Sequence, residues 1–242
     1  MASSVAGKVF IVSGSASGMG LATASVLLAR DSLSRFVQGL DADQQSRVLA
    51  HTVGITNRSA ITSFLRSTKE KYGRLDGIAY LAGTAGHKLD HQEIWEISDG
   101  EYDFIMDVNV RGVFNLLSEG LNAGLLQEPE SIVHIASIFS ERGFVKGSIY
   151  SASKYAEVGM AKSAAIETGK RGIRVNVVTP GSIDTAMLRA NEESGAEGTA
   201  PATPLGRLGE APEVANVVTF LLGEEARFVN GATWAVDGGA NA

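Results

Sequence analysis

The stretch SGSASGMG, residues 13–20, sets glycines at 14, 18 and 20 between a short apolar run and a segment with helical periodicity. Glycine is needed where a backbone turns tightly or approaches a ligand closely, and the free N–H groups at a helix start favour a phosphate. A glycine triplet alone is a weak signal, but strand, turn and helix follow here in the order of a dinucleotide-binding βαβ unit. The stretch therefore predicts a doubly wound α/β fold that holds a pyrophosphate.

Short apolar runs alternate with longer helical segments along the rest of the chain, as in βαβ units. This alternation predicts one Rossmann-type α/β domain over residues 1–242, with a mainly parallel seven-stranded sheet and helices on both faces. The predicted strands are 8–13, 35–40, 48–53, 77–82, 131–136, 174–179 and 233–236. The predicted helices are 19–29, 59–71, 101–123, 149–168 and 211–222. A small and polar stretch around 186–204 is a candidate mobile flap over a substrate.

The composition excludes several classes of function. Because the 242 residues include no cysteine, disulfides, thiolate metal ligands and a cysteine nucleophile are excluded. A net charge of −6 without a cluster of Lys and Arg argues against a nucleic-acid partner. The N-terminus does not resemble a secretory leader, and no apolar run approaches the roughly 18 residues that cross a bilayer. We therefore expect a cytoplasmic protein without a membrane partner.

A carboxylate ends the second predicted strand, in the sequence GLDAD. Asp41 lies about 20 residues after Gly20, where a carboxylate accepts hydrogen bonds from the ribose hydroxyls of an adenosine and repels a 2′-phosphate. The glycine loop has no Arg or Lys to pair with such a phosphate. Both observations favour NAD over NADP, which stays the alternative. The competing interpretation is that Asp41 or Asp43 caps a turn.

Four polar residues fall where parallel strands would bring them to one edge of the sheet. Ser137 ends a predicted strand, and Tyr150 and Lys154 follow at i,i+4 spacing on the next helix, in the sequence YSASK. The segment VVTPGSIDT, residues 177–185, turns over the same edge. Asn109 stands in an otherwise apolar helical stretch, where a buried amide must be hydrogen-bonded. Taken singly, a Tyr–Lys pair and a core Asn are more often structural than functional.

Taken together, these residues resemble the short-chain dehydrogenases/reductases of the single-domain type over nearly the whole chain. Gly14, Gly18 and Gly20 are similar to the cofactor loop of that family, and the segment from Pro180 to Thr185 resembles its nicotinamide segment. PLGRLGEAPEVANVVTFLL and NGATWAVDGG resemble its C-terminal region. Its catalytic tetrad matches, in order and spacing, Asn109, Ser137, Tyr150 and Lys154.

The resemblance implies a role for each member of the tetrad. Tyr150 would exchange a proton with a substrate alcohol or carbonyl while the cofactor exchanges hydride, and the cation of Lys154 would favour the phenolate. Lys154 would also bind the nicotinamide ribose, Ser137 would hold the substrate oxygen, and Asn109 would hold a water on the proton path. The implied cofactor contacts are Gly14, Ser17, Gly18, Met19, Gly20, Asp41, Ile55, Ala82, Gly83, Tyr150, Lys154, Pro180, Gly181, Ile183 and Thr185.

The chain departs from the family pattern around the adenosine end. Leu81 stands where the family has an asparagine that ties strands together, which predicts a looser end of that strand. Gly54 and Ile55 replace an acidic residue that grips the adenine, so only backbone or Ile55 could contact it. The crossover after Asp41 is short as well. These departures predict weaker cofactor binding without touching the tetrad.

The predicted activity is NAD-dependent hydride transfer with an apolar or cyclic secondary alcohol or ketone as the small-molecule substrate. The alternatives are non-redox chemistry on the same scaffold and a nicotinamide-binding regulator. His87 and His91 could ligate a metal only if their segment were helical, and with no third ligand apparent we predict no metal site. Apolar residues near the tetrad could wall a substrate pocket: Ile138, Phe139, Phe144, Met187 and Leu188. Core packing is an equally good account of Ile138 and Met187. The resemblance implies a homotetramer, with a homodimer as the alternative.

Overall fold

The fold is an α/β arrangement around one parallel sheet. The computed structural model describes residues 5–29, 48–122, 124–126, 128–193 and 203–242. The main sheet has five strands in the order β1-β2-β3-β4-β7, every neighbouring pair parallel. These strands are β1 Phe10–Val12, β2 Gly77–Tyr80, β3 Ser131–Ile135, β4 Arg174–Pro180 and β7 Thr233–Val236. A separate parallel pair joins β5 Ile183–Asp184 to β6 Gly209–Glu210.

The helices occupy most of the sequence between the strands. They are α1 Gly18–Ala29, α2 Arg58–Tyr72, α3 Asp99–Met106, α4 Gly112–Gly120, α5 Ser148–Thr168, α6 Ala186–Glu193 and α7 Ala211–Leu222, with a π-helical turn at Asp107–Arg111. Short 3₁₀ turns occur at Ile94–Glu96, Ile138–Ser140, Gly169–Arg171 and Glu224–Ala226. Among the helices of the described residues, none is both long and apolar enough to cross a membrane.

The sheet separates two apolar clusters, because successive side chains of a strand point to opposite faces. On β3, Ile132 belongs to one cluster and Val133 to the other. The first cluster contains Leu65 of α2 and Leu117 of α4, and the second contains Val214 of α7. Both faces of the central strands are therefore buried under helices, as expected of a parallel sheet, and the predicted doubly wound class is confirmed.

The predicted seven-stranded sheet is wrong for the described part of the chain: the main sheet there has five strands, and β5 and β6 form a separate pair. Predicted strand 35–40, together with Asp41, lies outside the described residues. Predicted strand 48–53 forms no strand, although residues 48–53 are described. Ala50, His51 and Thr52 are exposed there, whereas a strand covered on both faces would be apolar throughout.

The long helix predicted at 101–123 is interrupted rather than continuous. The structure divides it into α3, the π turn and α4, and α4 ends at Gly120. Apolar periodicity does not distinguish a π turn from an α-helix over five residues, so the sequence pattern missed the interruption. The predicted flap begins with α6, and residues 194–202 lie outside the described part. Its role as a flap stays a prediction.

The end of β2 is held by a side chain from another strand. The Ser13 hydroxyl oxygen, just after β1, accepts the N–H of Leu81 at 3.0 Å and that of Ala82 at 3.2 Å. The Leu81 side chain packs against the apolar cluster beneath α7. The loose end expected from the missing asparagine is thus corrected by the structure, because Ser13 uses both acceptor positions of its oxygen for this tie.

Replacing Ser13 with Ala tests this tie. We expect Ser13→Ala to lower the free energy of unfolding by about 1–3 kcal/mol, because two backbone N–H groups lose their acceptor. Urea unfolding of the purified protein measures this, with the exposed Ser63→Ala on α2 as the matched control. Equal stability of the two variants would show that Ser13 does not hold β2.

Candidate active site

The glycine loop follows β1 and closes against its neighbours at the carboxyl edge of the sheet. Gly14 has φ +67°, and a Cβ there would lie 3.0 Å from the backbone of Leu81 and Ala82. A Cβ on Gly20 would lie 2.2 Å from the carbonyl oxygen of Gly14. Side chains are therefore excluded at both positions, and the backbone N–H groups at the start of α1 stay open to an anion.

A cavity of about 1330 Å³ lies beside this loop. Among its lining residues are the predicted cofactor contacts Gly14, Ser17, Gly18, Met19, Gly20, Ile55, Ala82, Gly83 and Thr185. The methyl group of Thr185 lies 3.4 Å from the position of a Cβ on Gly18, so the residue after β5 covers the glycine loop. A bare glycine loop, a helix start and a large cleft fit the pyrophosphate and nucleosides of a dinucleotide.

Pro180 is the last residue of β4, and Gly181 and Ile183 follow it; the contact of this segment with a nicotinamide stays a prediction. A Cβ on Gly181 would lie 2.8 Å from Cα of Asp237, so glycine lets this segment pass the turn after β7. Ile183 is buried in the cluster beneath α7. Its side chain therefore supports the segment from the core, which the sequence pattern did not indicate.

Asn109 lies in the π turn and is fully buried. Its Nδ2 donates to the carbonyl oxygen of Thr84 and to Oγ of Ser153, both at 2.9 Å, and its Oδ1 accepts the N–H of Thr84 at 2.9 Å. The side chain thus fastens the segment after β2 to α5. The water assigned here by the family resemblance stays a prediction.

Tyr150 and Lys154 share one face of α5, as their spacing predicts. Nζ of Lys154 lies 5.7 Å from the centroid of the Tyr150 ring. Phe139 and Phe144 stack on each other at 3.8 Å and meet the Tyr150 ring edge-on, each at 6.4 Å. Apolar rings therefore flank the phenol, and their role as a substrate wall stays a prediction.

Ser137 ends the extended segment after β3. Its Oγ accepts the N–H of Phe139 at 3.2 Å at the start of a 3₁₀ turn. In this bond the hydroxyl oxygen is the acceptor, so the hydroxyl hydrogen remains available for donation to a ligand oxygen. Ser137 and Tyr150 are thus both available on elements that end or begin at the same edge of the sheet.

The comparison with known proteins agrees with this geometry. Residues 13–241 match the protein family described as enoyl-(acyl carrier protein) reductase. The short-chain dehydrogenase/reductase aba4 of Botryotinia fuckeliana (strain B05.10) is 34% identical over 249 residues, covering 96% of each chain. The chain belongs to the short-chain dehydrogenase/reductase family.

Two further members of this short-chain dehydrogenase/reductase family extend the comparison. Levodione reductase of Leifsonia aquatica is 32% identical over 255 residues, covering 97% of this chain and 94% of the relative. The crystal structure of a short-chain dehydrogenase from Burkholderia cenocepacia J2315 in complex with NADP superposes with a TM-score of 0.80. It is 29% identical, and the match covers 98% of each chain. A nicotinamide cofactor is therefore supported for this short-chain dehydrogenase/reductase.

The sequence pattern missed a buried group beside the tetrad. Both carboxylate oxygens of Glu157 lie 3.0–3.1 Å from Nζ of Lys154, and Oε2 also lies 2.7 Å from Nε2 of His134. Tyr80 stacks on the His134 ring at 5.3 Å. A glutamate at i+3 from Lys154 on a predicted helix was the available signal, but sequence alone could not place it in the core.

Burial and charge act in opposite directions on Lys154. Burial opposes its positive charge, but the carboxylate of Glu157 and the nearby Tyr150 together hold the pKa of Lys154 above its ordinary value. Burial, with the Glu157 carboxylate close by, raises the pKa of Tyr80 far above its ordinary value. Lys154 is therefore a cation at neutral pH, and Tyr80 is a neutral phenol.

Ile55 and the two predicted histidines have structural surroundings of their own. Ile55, a predicted cofactor contact, lies before α2 in a turn that Asn115 holds by donating to the carbonyl oxygens of Ile55 and Thr56. Nδ1 of His87 lies 2.9 Å from Glu101, and His91 is exposed in a separate turn. In the described ranges no three His, Asp or Glu side chains cluster as metal ligands would.

Gly83 tests how closely the segment after β2 approaches the lysine. A Cβ there would lie 3.3 Å from Nζ of Lys154 and 3.4 Å from Oδ1 of Asn109. We expect Gly83→Ala to displace these groups and lower kcat about tenfold or more, because small misplacements of catalytic groups are costly.

Steady-state kinetics with urea unfolding separates this effect from instability. Gly159→Ala on α5 is the matched control, because a Cβ there has no heavy atom within 4 Å. The control should keep its activity and gain up to about 1 kcal/mol in stability as an interior helix position. If Gly83→Ala is as active as the control, the close approach has no catalytic consequence.

Proposed function

We propose that this short-chain dehydrogenase/reductase transfers hydride between a nicotinamide cofactor and an apolar or cyclic secondary alcohol or ketone. The observation that supports this most directly is the closeness of Lys154 to the glycine-loop cavity: Gly83 lines the cavity, a Cβ on it would lie 3.3 Å from Nζ of buried Lys154, and that Nζ lies 5.7 Å from the centroid of the Tyr150 ring. A phenol, a cation and a free hydroxyl donor are the groups needed to exchange a proton with a carbinol oxygen. Both named relatives are described as reductases or dehydrogenases.

In the proposed reaction, the bound nicotinamide supplies or accepts the hydride. Ser137 donates a hydrogen bond to the substrate oxygen and orients it. Tyr150 takes the alcohol proton during oxidation or gives its proton to the carbonyl during reduction. The ammonium of Lys154 favours the phenolate of Tyr150 and holds the cofactor ribose. Asn109 holds the segment after β2 against α5, the helix that carries Lys154.

Phe139 and Phe144 support an apolar substrate. Their stacked rings flank Tyr150, and a Cβ on Gly147 would lie 1.9 Å from the Phe144 ring. Gly147 therefore leaves the space that the ring occupies at the start of α5. An apolar or cyclic carbonyl compound would bury its surface against these rings without leaving a charged group unpaired.

Several exposed apolar side chains support the proposed homotetramer or homodimer. Phe114 on α4 is 49% exposed, and Tyr155 and Ile166 on α5 are 48% and 83% exposed. Association of copies through these helices would remove this apolar surface from water. A cytoplasmic location is proposed from the sequence alone.

The preference for NAD is proposed from Asp41, while the Burkholderia relative was solved with NADP. Fluorescence titration with NADH and NADPH should show a preference for NADH of about tenfold or more, or about 1.4 kcal/mol. Asp41→Ala should remove the preference, and Asp43→Ala, two residues away, should keep it. A preference for NADPH in the unmodified protein would contradict the assignment of Asp41.

Tyr150→Phe tests the chemistry itself. We expect the rate of hydride transfer to fall by about 10²-fold or more, because the general acid–base group is lost, while NADH affinity changes little. Tyr155→Phe, exposed on the same helix, should keep full activity. Unchanged hydride transfer in Tyr150→Phe would contradict the acid–base role of Tyr150, and an unmodified protein that binds cofactor but transfers no hydride would favour the non-redox alternative or the regulator.

A further inference from the structure

Glu157 is a buried carboxylate that the proposed reaction does not use. Lys154, Glu157 and His134 are 4%, 0% and 1% exposed, which makes them among the most buried polar side chains described. A charge in the interior is destabilising unless it is paired and hydrogen-bonded. The carboxylate of Glu157 is therefore placed to stabilise the positive charge of the lysine beside it.

The contacts show how the carboxylate is held. Oε1 and Oε2 accept from Nζ of Lys154 at 3.1 and 3.0 Å, and Oε2 also accepts from Nε2 of His134 at 2.7 Å. Because a carboxylate only accepts, Nε2 of His134 carries the hydrogen. Nδ1 of His134 is buried and finds no hydrogen-bond partner among the described residues, so the neutral imidazole is the form that fits.

The remaining titratable groups around the carboxylate do not replace it. Tyr80 of β2 lies against the His134 ring as a neutral phenol. From the π turn, Asp107 pairs with Arg111 at the surface at 2.6 Å. After the 3₁₀ turn that packs on α5, Glu141 bonds to Thr179 and Asn241. The charge facing Lys154 in the described core is therefore that of Glu157.

We propose that Glu157, held by His134, is a positioning residue that serves as the built-in counter-ion of Lys154 and sets the pH range of the active site. The proposal rests on the proposed function for its catalytic meaning. Glu157 fixes Nζ with two of its three hydrogens and leaves one for the cofactor ribose or Tyr150.

Counting charge gives the direction of the effect. With a protonated phenol, Tyr150, Lys154 and Glu157 together carry no net charge, so the loss of one proton leaves a buried negative charge. Without the carboxylate the same group carries one positive charge, and losing a proton makes it neutral. The coupled group therefore loses its first proton at lower pH when Glu157 is replaced by a neutral residue.

The first test needs no catalysis. Urea unfolding of the cofactor-free protein from about pH 7 to about pH 10 compares the unmodified chain with Glu157→Gln. With Glu157 present, the pKa of Lys154 is raised in the folded protein. The ion pair therefore stabilises the fold at neutral pH, and this contribution is lost only as the pH rises through the folded-state pKa of Lys154. Without Glu157 burial lowers that pKa, so the variant is least stable near pH 7 and recovers as pH rises.

The unfolding constant of Glu157→Gln divided by that of the unmodified chain should fall at least about tenfold between about pH 7 and about pH 10. Glu167→Gln, an exposed glutamate on the same helix, is the matched control and should show no such trend. A ratio for Glu157→Gln that is constant with pH would mean that Glu157 only fills space and accepts hydrogen bonds, and would overturn the proposal.

Glu157→Met provides a second variant, because it removes the charge and the hydrogen bonds together. A variant that is unfolded near pH 7 but folds near pH 10 supports the proposal, since neutral Lys154 no longer needs a counter-ion. If neither variant folds at any pH, the proposal is overturned, because neutralising Lys154 at high pH would not have restored the fold.

The second test concerns catalysis. In Glu157→Gln the ascending limb of kcat/KM against pH for alcohol oxidation should move to lower pH by about one unit or more. Glu167→Gln should leave the limb in place. An unmoved limb in an active Glu157→Gln enzyme would overturn the proposal. If the unmodified protein oxidises no alcohol, the proposed function fails while the stability test still decides whether Glu157 is the counter-ion.

Discussion

The burial of a positive charge beside the phenol is the constraint on which the site depends. Lys154 lies on the buried face of α5, the face that also carries Ala161, Ala164 and Ala165, so its side chain is almost completely removed from bulk water. An interior cation needs a carboxylate or several acceptors to remain charged. Glu157 is one turn farther along α5, and His134 on the neighbouring strand fixes it from the opposite side. The proposed chemistry of Tyr150 and the stability of the core therefore depend on the same ion pair.

The parallel sheet brings the remaining groups to this pair. Because all five main strands run in one direction, the segments after β1, β2, β3 and β4 meet at one edge. Ser13 fastens the end of β2, and Asn109 fastens the following segment to α5. Glycines at 14, 20 and 83 then allow backbone to approach backbone or the lysine where a side chain would collide. Rigidity in this region comes from side chains bonded to backbone as much as from the strand ladders.

The departures from the family pattern around β2 can be understood as one rearrangement. Leu81 turns into the apolar cluster beneath α7, and Tyr80 on the opposite face stacks on His134. Gly112 accommodates the Tyr80 hydroxyl, because a Cβ there would lie 2.6 Å from it. Tyr80 and His134 lie beside Glu157, whereas Leu81 is on the opposite face of the sheet. The same face of the sheet thus provides both the packing and the electrostatic surroundings of the proposed catalytic lysine.

The sequence by itself determined the order of strands and helices that are local and periodic, the glycine loop, and the spacing that places Tyr150 and Lys154 on one helix face. Those features depend on residues close in the chain, where periodicity and turn chemistry act directly. The tertiary structure alone decided that 48–53 forms no strand, that the helix after 101 contains a π turn, and that Ser13 replaces the missing asparagine. It also decided that Glu157 meets His134, 23 residues away on a strand. Such pairings follow from the register between elements and from which groups share a buried space, and local sequence patterns encode neither.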